Sequence, residues 1–173
     1  MLGILMNSFG MLADRSIPQV TFDQIPISQR DDYIQFFNTG NASKADLSYL
    51  DLRYAIATLR NVKGPHFRFS FTYANLSRVN FLLADLTRAN FLRITGVGAY
   101  FARANLAYAN FCEADLSKAV FVGANLRGAN FRNADLTGAS FAFADLTGAD
   151  LTGAIAGATN FANAILTGVI GLH

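Results

Sequence analysis

Histidine, cysteine and acidic side chains, which supply most catalytic and metal-binding groups, are sparse in this chain of 173 residues. The chain has two histidines, His66 and His173, and one cysteine, Cys112. No His, Cys and Asp residues are grouped at the spacing of metal ligands, so we expect no metal site and no cofactor. A single cysteine also excludes an internal disulfide framework.

The acidic residues of the second half form a regular series and not a cluster. Asp115, Asp135 and Asp145 are separated by multiples of five residues, and asparagines occupy many of the intervening positions. Short Asp and Asn side chains can accept hydrogen bonds from the backbone of turns. The glycines recur at corner positions and lack the arrangement of a phosphate-binding loop. We therefore expect no catalytic residues and a protein that is not an enzyme.

This series belongs to a five-residue repeat. In steps of five from Phe71 to Leu166, 18 of 20 positions are Phe or Leu, and 16 of the 20 positions two residues earlier are Ala. Five residues advance a helix by about 500°, which would spread the Phe and Leu residues over every face. In an extended chain, residues two apart share a face. Each Ala and the following Phe or Leu can thus point inward together, so that one pentapeptide forms one short side of a coil.

The alternation of Phe and Leu indicates an even number of sides. It has a period of ten between Phe71 and Leu146, so a coil must contain an even number of sides. Four sides stack Phe on Phe and Leu on Leu, with successive coils about 4.8 Å apart. This all-β solenoid explains a composition with 52% apolar and 15% charged residues and a mean hydropathy of +0.27, because Ala, Phe and Leu line its axis.

Motifs such as Ala124-Asn125-Leu126 and Ala134-Asp135-Leu136, each followed by two more residues, resemble the A(D/N)LXX signature of the pentapeptide repeat family. The resemblance covers residues 45–171. It implies a right-handed quadrilateral β-helix in which Phe or Leu is the central inward-facing residue. It implies little about function, because members of the family do different things.

The repeat divides the chain into two parts. We predict an N-terminal extension and cap over residues 1–40 and the β-helix over residues 41–173. The blocks Ala45-Asp46-Leu47, Leu50-Asp51-Leu52 and Ala55-Ile56-Ala57 keep the spacing of five. The register then slips once near residues 58–70, where residues 61–66 indicate a loop or bulge. At Gly96 a core side chain is missing, and we expect Ile94 to fill the space beside a local kink.

The first 40 residues lack the repeat. Ser28 and the three residues after it resemble a capping box, which predicts a short helix over about residues 29–37. Such a helix would cover the open first coil, whose strand edges would otherwise promote aggregation. Residues 1–13 place apolar side chains on one helical face but lack the basic segment of a signal peptide, so we expect a cytoplasmic protein and keep a trimmed export signal as the alternative. An extended edge segment is predicted for Val20, Phe22, Ile25 and Ile27.

The C-terminal end carries repeats almost to the last residue, without a charged or helical cap. Because solenoids need polar ends, we expect this end to dock on a second copy of the chain by two-fold symmetry. The family resemblance supports a homodimer, since members with such ends dimerise through them. The residues predicted at this end are Ile165, Ile170 and Leu172.

One side of the coil is predicted to be apolar on its outer surface along four coils, whereas the opposite side is mostly polar. A contiguous exposed apolar patch usually marks an interaction site. We predict binding of an unknown protein partner, with cover by residues 1–40 as an alternative of equal weight. This surface, the apolar face, comprises Leu82, Leu83, Tyr100, Val120, Val122 and Phe143.

Charge is unevenly distributed along the chain, whose formal net charge is +2. Residues 41–132 carry 12 basic and 5 acidic residues, and residues 133–173 carry 3 acidic and no basic ones. The basic residues occur on several sides, which indicates a solvated surface and disfavours nucleic-acid binding. Family members that protect gyrase and related topoisomerases by DNA mimicry have strongly acidic surfaces, so the basic middle disfavours that alternative function. No apolar run reaches the roughly 18 residues that a membrane span needs.

Overall fold

The computed structural model describes residues 25–172 except 54, 55, 57, 58, 60, 62 and 65. Before the repeat lie a 3-10 helix, Ile27–Gln29, and an α-helix, α1, Arg30–Thr39. From Ser70 onward, parallel bridges join each bridging residue to the one 20 positions later, as in Asn90 to Asn110. Bridging residues recur every five positions, so a coil of 20 residues has four of them. The chain is a parallel β-helix whose sides are single bridges, and the described residues contain no longer strand.

The coil gives a hydrogen-bond acceptor to every backbone N–H of a typical pentapeptide, which a buried backbone requires. Two N–H groups donate to the following coil, one to the preceding coil, one across the turn, and one to the Asn side chain that begins the repeat. In the repeat centred on Phe111, the donors and acceptors are Phe111 to the Asn130 carbonyl (2.7 Å), Cys112 to Asn110 Oδ1 (3.2 Å), Glu113 to the Arg132 carbonyl (2.9 Å), Ala114 to the Phe111 carbonyl (3.1 Å) and Asp115 to the Ile94 carbonyl (2.9 Å).

Each corner turns on one residue with a left-handed backbone. Arg88, Tyr108 and Gly128, at the same corner of successive coils, have φ values of 59°, 59° and 63°. A positive φ at the third residue is what a type II turn requires, and glycine adopts it without steric strain. This requirement explains why the repeat so often places Gly two residues after the inward Phe or Leu.

Phenylalanine rings fill the axis in two columns, as the repeat predicts. Within a column, neighbouring rings are almost parallel, as for Phe91 and Phe111 with centroids 4.6 Å apart and planes at 4°. Between columns the rings meet edge to face, as for Phe101 and Phe111 at 5.7 Å and 82°. Both arrangements are favourable for aromatic pairs. The fully buried members of the columns are Phe71, Phe81, Phe91, Phe101, Phe111, Phe121, Phe131 and Phe141.

The missing side chain at Gly96 is replaced as expected. A Cβ on Gly96 would lie 3.1 Å from both Ile94 Cδ1 and Leu116 Cδ2, so Ile94 occupies the space that a Leu would fill in other coils. Gly96 N–H still donates to the Asp115 carbonyl at 2.7 Å. The hydrogen-bond ladder therefore passes through this position unbroken, and the local kink stays a prediction.

The first coil is longer than the others. Its bridges join residues 29 apart, as in Asn41 to Ser70 and Asp51 to Asn80, whereas all later bridges join residues 20 apart. The difference is an insertion of nine residues within the first coil. Its position agrees with the register slip inferred from the sequence, but its conformation does not.

Part of the first coil is helical where the sequence indicated repeat and then a loop. Ile56 N–H donates to the Leu52 carbonyl at 2.9 Å, a helical hydrogen bond. Ile56 and Leu59 are 1% and 4% exposed, so this segment also contributes to the core. The prediction of a repeat around Ile56 is therefore wrong. Of the loop or bulge predicted over residues 61–66, Asn61 and Lys63 are helical, whereas Gly64 and His66 are not. The described helical residues here are Arg53, Ile56, Leu59, Asn61 and Lys63.

Helix α1 covers the open end of the first coil. Phe36 is completely buried, with its ring centroid 5.2 Å from that of Phe71 and 6.1 Å from that of Phe69. The predicted helix is thus confirmed, with bounds shifted to residues 30–39. Gly40 ends it with φ 69°, and a Cβ there would lie 2.4 Å from the Phe67 ring.

The predicted capping box at Ser28 is wrong. Ser28 lies in the 3-10 helix, and α1 begins after Gln29 without a side-chain cap. Gln29 is buried and its Nε2 donates to the Ser48 carbonyl at 3.1 Å, which ties the cap to the coil. Ile27, expected to be extended, also lies in the 3-10 helix.

Several N-terminal predictions fall on residues that the structure does not describe. Val20, Phe22 and the apolar helical face of residues 1–13 lie outside the described residues. The division of the chain between residues 40 and 41 therefore stays a prediction.

Candidate interaction surfaces

The Asp and Asn side chains that precede each inward residue stabilise the turns. Asp145 Oδ1 accepts the Thr147 backbone N–H at 2.9 Å, and Asn110 Oδ1 accepts that of Cys112 at 3.2 Å. Asp and Asn serve equally because each offers the same oxygen. The structural interpretation of the periodic acidic series is confirmed by these bonds.

Hydrogen bonds and ion pairs keep these carboxylates charged. The Thr147 hydroxyl, with further help from its backbone N–H and from Arg127, lowers the pKa of Asp145 below its usual value. Arg127 Nη1 lies 2.9 Å from Asp145 Oδ2, and Arg132 forms a similar pair with Asp150 at 3.0 Å. A carboxylate held in its ionised form is poorly suited to donate a proton as a general acid.

The structure places the six residues of the apolar face on one side of the β-helix. Successive bridges connect Asn80, Tyr100, Val120 and Ser140 in that order. Leu83 and Phe143, at one corner, are 65% and 66% exposed, and Tyr100 is 41% exposed. The half-buried members of the face are Leu82, Val120 and Val122.

The apolar face lacks the side chains that stabilise turns elsewhere. At its two ends, Asn80 Oδ1 accepts the Leu82 N–H at 3.0 Å and Asn160 Oδ1 accepts the Ala162 N–H at 2.9 Å. Between them, the equivalent positions of three successive coils are Tyr100, Val120 and Ser140.

Because these positions hold residues other than Asn or Asp, the backbone N–H groups two residues later lack an acceptor. Within the described residues, the N–H groups of Ala102, Val122 and Ala142 have no acceptor. A hydrogen bond of this kind contributes about 0.5–1.5 kcal/mol to stability. Tyr100 and Val120 therefore replace stabilising polar groups by apolar surface in contact with water. Folding stability alone does not explain such residues.

The last described coil exposes its edge and its core. Phe161 and Leu166 are half-buried, whereas the same positions in the preceding coil are completely buried. The backbone N–H groups of Phe161 and Leu166 have no acceptor within the described part of the chain. In the preceding coil, the equivalent Phe141 N–H donates to the Asn160 carbonyl at 2.7 Å. Of the predicted dimer residues, Ile165 and Ile170 are 52% and 56% exposed, and Leu172 is half-buried.

The two corners that flank the side opposite the apolar face carry polar and cationic side chains. Arg93 Nε donates to Glu113 Oε2 at 2.6 Å and its guanidinium lies 5.8 Å from the Tyr73 ring centroid. Arg88 lies over the Tyr108 ring at 5.7 Å.

An open depression of about 630 Å³ adjoins Arg88 and also contains Arg68. Our sequence interpretation did not identify this site. The spacing of 20 between the two arginines, which equals one coil, was a signal that could have revealed it.

Over the described ranges, no three His, Cys, Asp or Glu side chains come together as a metal site. None of the helices in this part of the chain is both long and apolar enough to cross a membrane. Cys112 is half-buried and unbonded to sulfur.

Solved structures that resemble the chain include those of three proteins. A pentapeptide repeat protein from the thylakoid lumen of Arabidopsis thaliana is 30% identical over 65% of this chain and 66% of its own length, with a TM-score of 0.38. A pentapeptide repeat protein from the cyanobacterium Cyanothece 51142 is 26% identical over 80% of this chain and 92% of its own, with a TM-score of 0.32. A plasmid-mediated fluoroquinolone resistance protein is 20% identical over 75% and 76%, with a TM-score of 0.34.

The family match rests on the sequence repeats themselves. No curated protein matches the chain significantly. The family model for pentapeptide repeats matches in 8 copies, at residues 70–94, 97–133, 114–153 and 129–170. These segments span more than half of the chain and coincide with its regular coils. The chain belongs to the pentapeptide repeat family and has that family's right-handed β-helical fold.

Proposed function

We propose that this protein is a non-enzymatic scaffold, a quadrilateral β-helix that binds a protein partner through its apolar face. The observation that carries the proposal is the row of apolar residues at Tyr100 and Val120, a position where most repeats on the other sides have Asn or Asp. Each replacement gives up a turn hydrogen bond and exposes apolar surface. Burial of this apolar surface by a partner would be favourable and would offset the loss of the turn hydrogen bonds.

The composition of the apolar face is suited to binding. Tyr100 and Phe143 supply exposed aromatic rings, and aromatic residues are frequent among those that dominate binding energy. Val120 and Val122 lie between them as a flatter, half-buried surface. The bridges on both sides hold this surface rigid, so little conformational entropy is lost when a partner binds.

An affinity pull-down tests the apolar face. We expect the variant Leu82→Asp/Val122→Asp/Phe143→Asp to lose proteins that the wild type recovers, because each aspartate would be buried against an apolar partner. The matched control Thr95→Asp/Val97→Asp/Thr137→Asp adds the same charge on a neighbouring side and should recover the wild-type set. Equal recovery by both variants and the wild type would show that the partner binds elsewhere.

Protection of topoisomerases by DNA mimicry fits the surface less well. Such mimicry needs rows of uncompensated negative charge. Here Asp145 and Asp150 are paired with Arg127 and Arg132, and the middle of the β-helix has an excess of basic residues. Inhibition of gyrase supercoiling by micromolar protein is the result that would favour mimicry over the scaffold.

We also propose that the open coil docks on a second copy of the chain. Its exposed Ile165 and Ile170 would pack against the same residues of a two-fold-related copy. Sedimentation of the wild type at micromolar concentration should show a dimer, and Ile165→Asp/Ile170→Asp should shift it to a monomer. A wild-type monomer under these conditions would contradict this proposal.

A further inference from the structure

We propose that the depression beside Arg68 and Arg88 binds the phosphate group of a small ligand. This site lies away from the apolar face and does not depend on its function. The depression has a volume of about 630 Å³, within the range of small-molecule sites. Its polar lining consists of Arg68, Ser70, Arg88, Asn90, Tyr108 and Asn110.

Arg68 and Arg88 have no carboxylate partner among the described residues, unlike Arg127 and Arg132. Arg127 and Arg132 each pair with an aspartate 18 residues later, Asp145 and Asp150, at the position that begins a repeat. No acidic residue lines the depression, and Arg68 and Arg88 form no ion pair with any described residue. Two cations in one depression without a counter-charge repel each other, so an anion would be stabilised there.

Asparagine occupies the repeat positions where an aspartate would neutralise these arginines. Asn90 and Asn110 keep the turn bond, because Asn90 Oδ1 accepts the Leu92 N–H at 3.1 Å and Asn110 Oδ1 accepts that of Cys112 at 3.2 Å. The choice of Asn over Asp therefore leaves the turns intact and the positive charge uncompensated.

The asparagines present free donors and no free acceptors. Asn110 Nδ2 donates to Asn90 Oδ1 at 3.1 Å, and Asn130 Nδ2 donates to Asn110 Oδ1 at 3.1 Å. Each of these two oxygens thus accepts two hydrogen bonds, which uses both of its lone pairs. Each amide nitrogen uses only one of its two N–H groups in this ladder. Together with the guanidinium groups, the remaining N–H groups form a surface of donors that suits an oxyanion.

The charge and the extent of the site favour one phosphate. A phosphate monoester carries a charge of about −1.5 to −2 at neutral pH and three acceptor oxygens, which matches two guanidinium groups better than a carboxylate does. A nucleic-acid backbone would need further cations along the corner. Beyond Arg88 this corner continues as Tyr108, Gly128 and Gly148, so the positive charge is confined to one place.

Tyr108 forms one wall of the site. Its ring lies over Gly128, where a Cβ would be only 2.8 Å from the ring, and the Arg88 guanidinium lies 5.7 Å from the ring centroid. The glycine therefore allows the ring to lie flat along the corner beside the guanidinium. This contact restricts the position of Arg88 before any ligand binds.

Isothermal titration calorimetry of the full chain with inorganic phosphate and with glycerol 1-phosphate tests the proposal. We expect saturable binding with a Kd of about 1 mM or tighter for at least one probe. Arg68→Gln/Arg88→Gln should weaken binding about tenfold or more. The control Arg78→Gln/Arg103→Gln removes the same charge from other exposed corners and should leave the Kd near the wild-type value. Tighter binding of glycerol 1-phosphate would identify a phosphorylated metabolite as the source, and equal affinities would identify free phosphate.

A second variant separates loss of binding from loss of folding. Asn110→Asp keeps the turn acceptor and places a carboxylate in the depression, so it should abolish phosphate binding. It also removes the Nδ2 donor to Asn90 Oδ1, so its melting temperature is compared with that of Asn130→Asp, which loses the equivalent bond to Asn110 Oδ1 and should melt at a similar temperature. Asn130→Asp, one coil further along and outside the depression, is the matched control. The proposal is wrong if neither probe binds saturably, if both arginine variants weaken binding equally, or if Asn110→Asp binds phosphate like the wild type.

Discussion

Replacement of Phe111 by alanine is expected to lower the free energy of unfolding by about 3–5 kcal/mol. Its ring is completely buried and stacks between Phe91 at 4.6 Å and Phe131 at 5.0 Å. It also meets Phe101 and Phe121 edge to face, each at 5.7 Å. Removal of the ring leaves a cavity on the axis that the bridged coils above and below hold open, because their hydrogen bonds fix the spacing. Urea unfolding followed by circular dichroism measures the change.

Phe143→Ala is the matched control for this prediction. It removes the same ring from a corner where the side chain is 66% exposed, so the expected change is within about 0.5 kcal/mol. Phe161→Ala should fall between the two, since this half-buried ring stacks only on Phe141, at 5.3 Å. A loss below about 1 kcal/mol for Phe111→Ala would contradict the inward position of the column.

Phe36→Ala in helix α1 is expected to destabilise the protein by about 3–5 kcal/mol and to make it aggregate. The ring is completely buried between the helix and the first coil, against Phe69 and Phe71. Without it the helix loses its main contact with the coil, and the bridge edge beginning at Asn41 is uncovered. Thermal melting combined with light scattering would detect both effects.

Phe37, the next residue of α1, provides the control. It is half-buried and its ring stacks on that of Tyr33 with centroids 6.2 Å apart, so Phe37→Ala should have a smaller effect on stability than Phe36→Ala. Equal melting temperatures for both variants and the wild type, with no scattering from Phe36→Ala, would show that α1 is not needed to cap the coil.

The regular coils could be predicted from sequence because one short repeat determines every level of their structure. The inward Phe or Leu, the Ala two residues earlier and the Asp or Asn between them each have one physical role, and these roles recur at fixed spacing. The filling of the Gly96 position by Ile94 follows from the same packing logic. Where a period is strict, counting residues is enough to place a side chain.

The helical part of the first coil was missed because two periods overlap there. Leu47 and Leu52 continue the spacing of five, whereas Leu52, Ile56 and Leu59 are spaced four and three apart, as on one face of a helix. The helical spacing determines the structure beyond Leu52. The next repeat position, Ala57, carries no large side chain, and this was the available signal.

The two surface sites differ in how far the sequence could reveal them. The apolar face follows from the coil length, since residues 20 apart share a side. The proposed phosphate site depends on what is absent among the described residues, namely a carboxylate near Arg68 and Arg88. The spacing of 20 places the two arginines at one corner, but the lack of a carboxylate partner is visible only in the structure.

Site-specific photo-crosslinking tests the central claim, that the apolar face binds a protein partner, most directly. Phe143 replaced by p-benzoylphenylalanine keeps an aromatic ring at an exposed position of the face. Tyr49, 70% exposed at a different corner, carries the same probe as a control. We predict a discrete adduct with a partner from position 143 that is absent from position 49 and is suppressed by Leu82→Asp/Val122→Asp. The same adducts from both positions, or none from position 143, would contradict the claim.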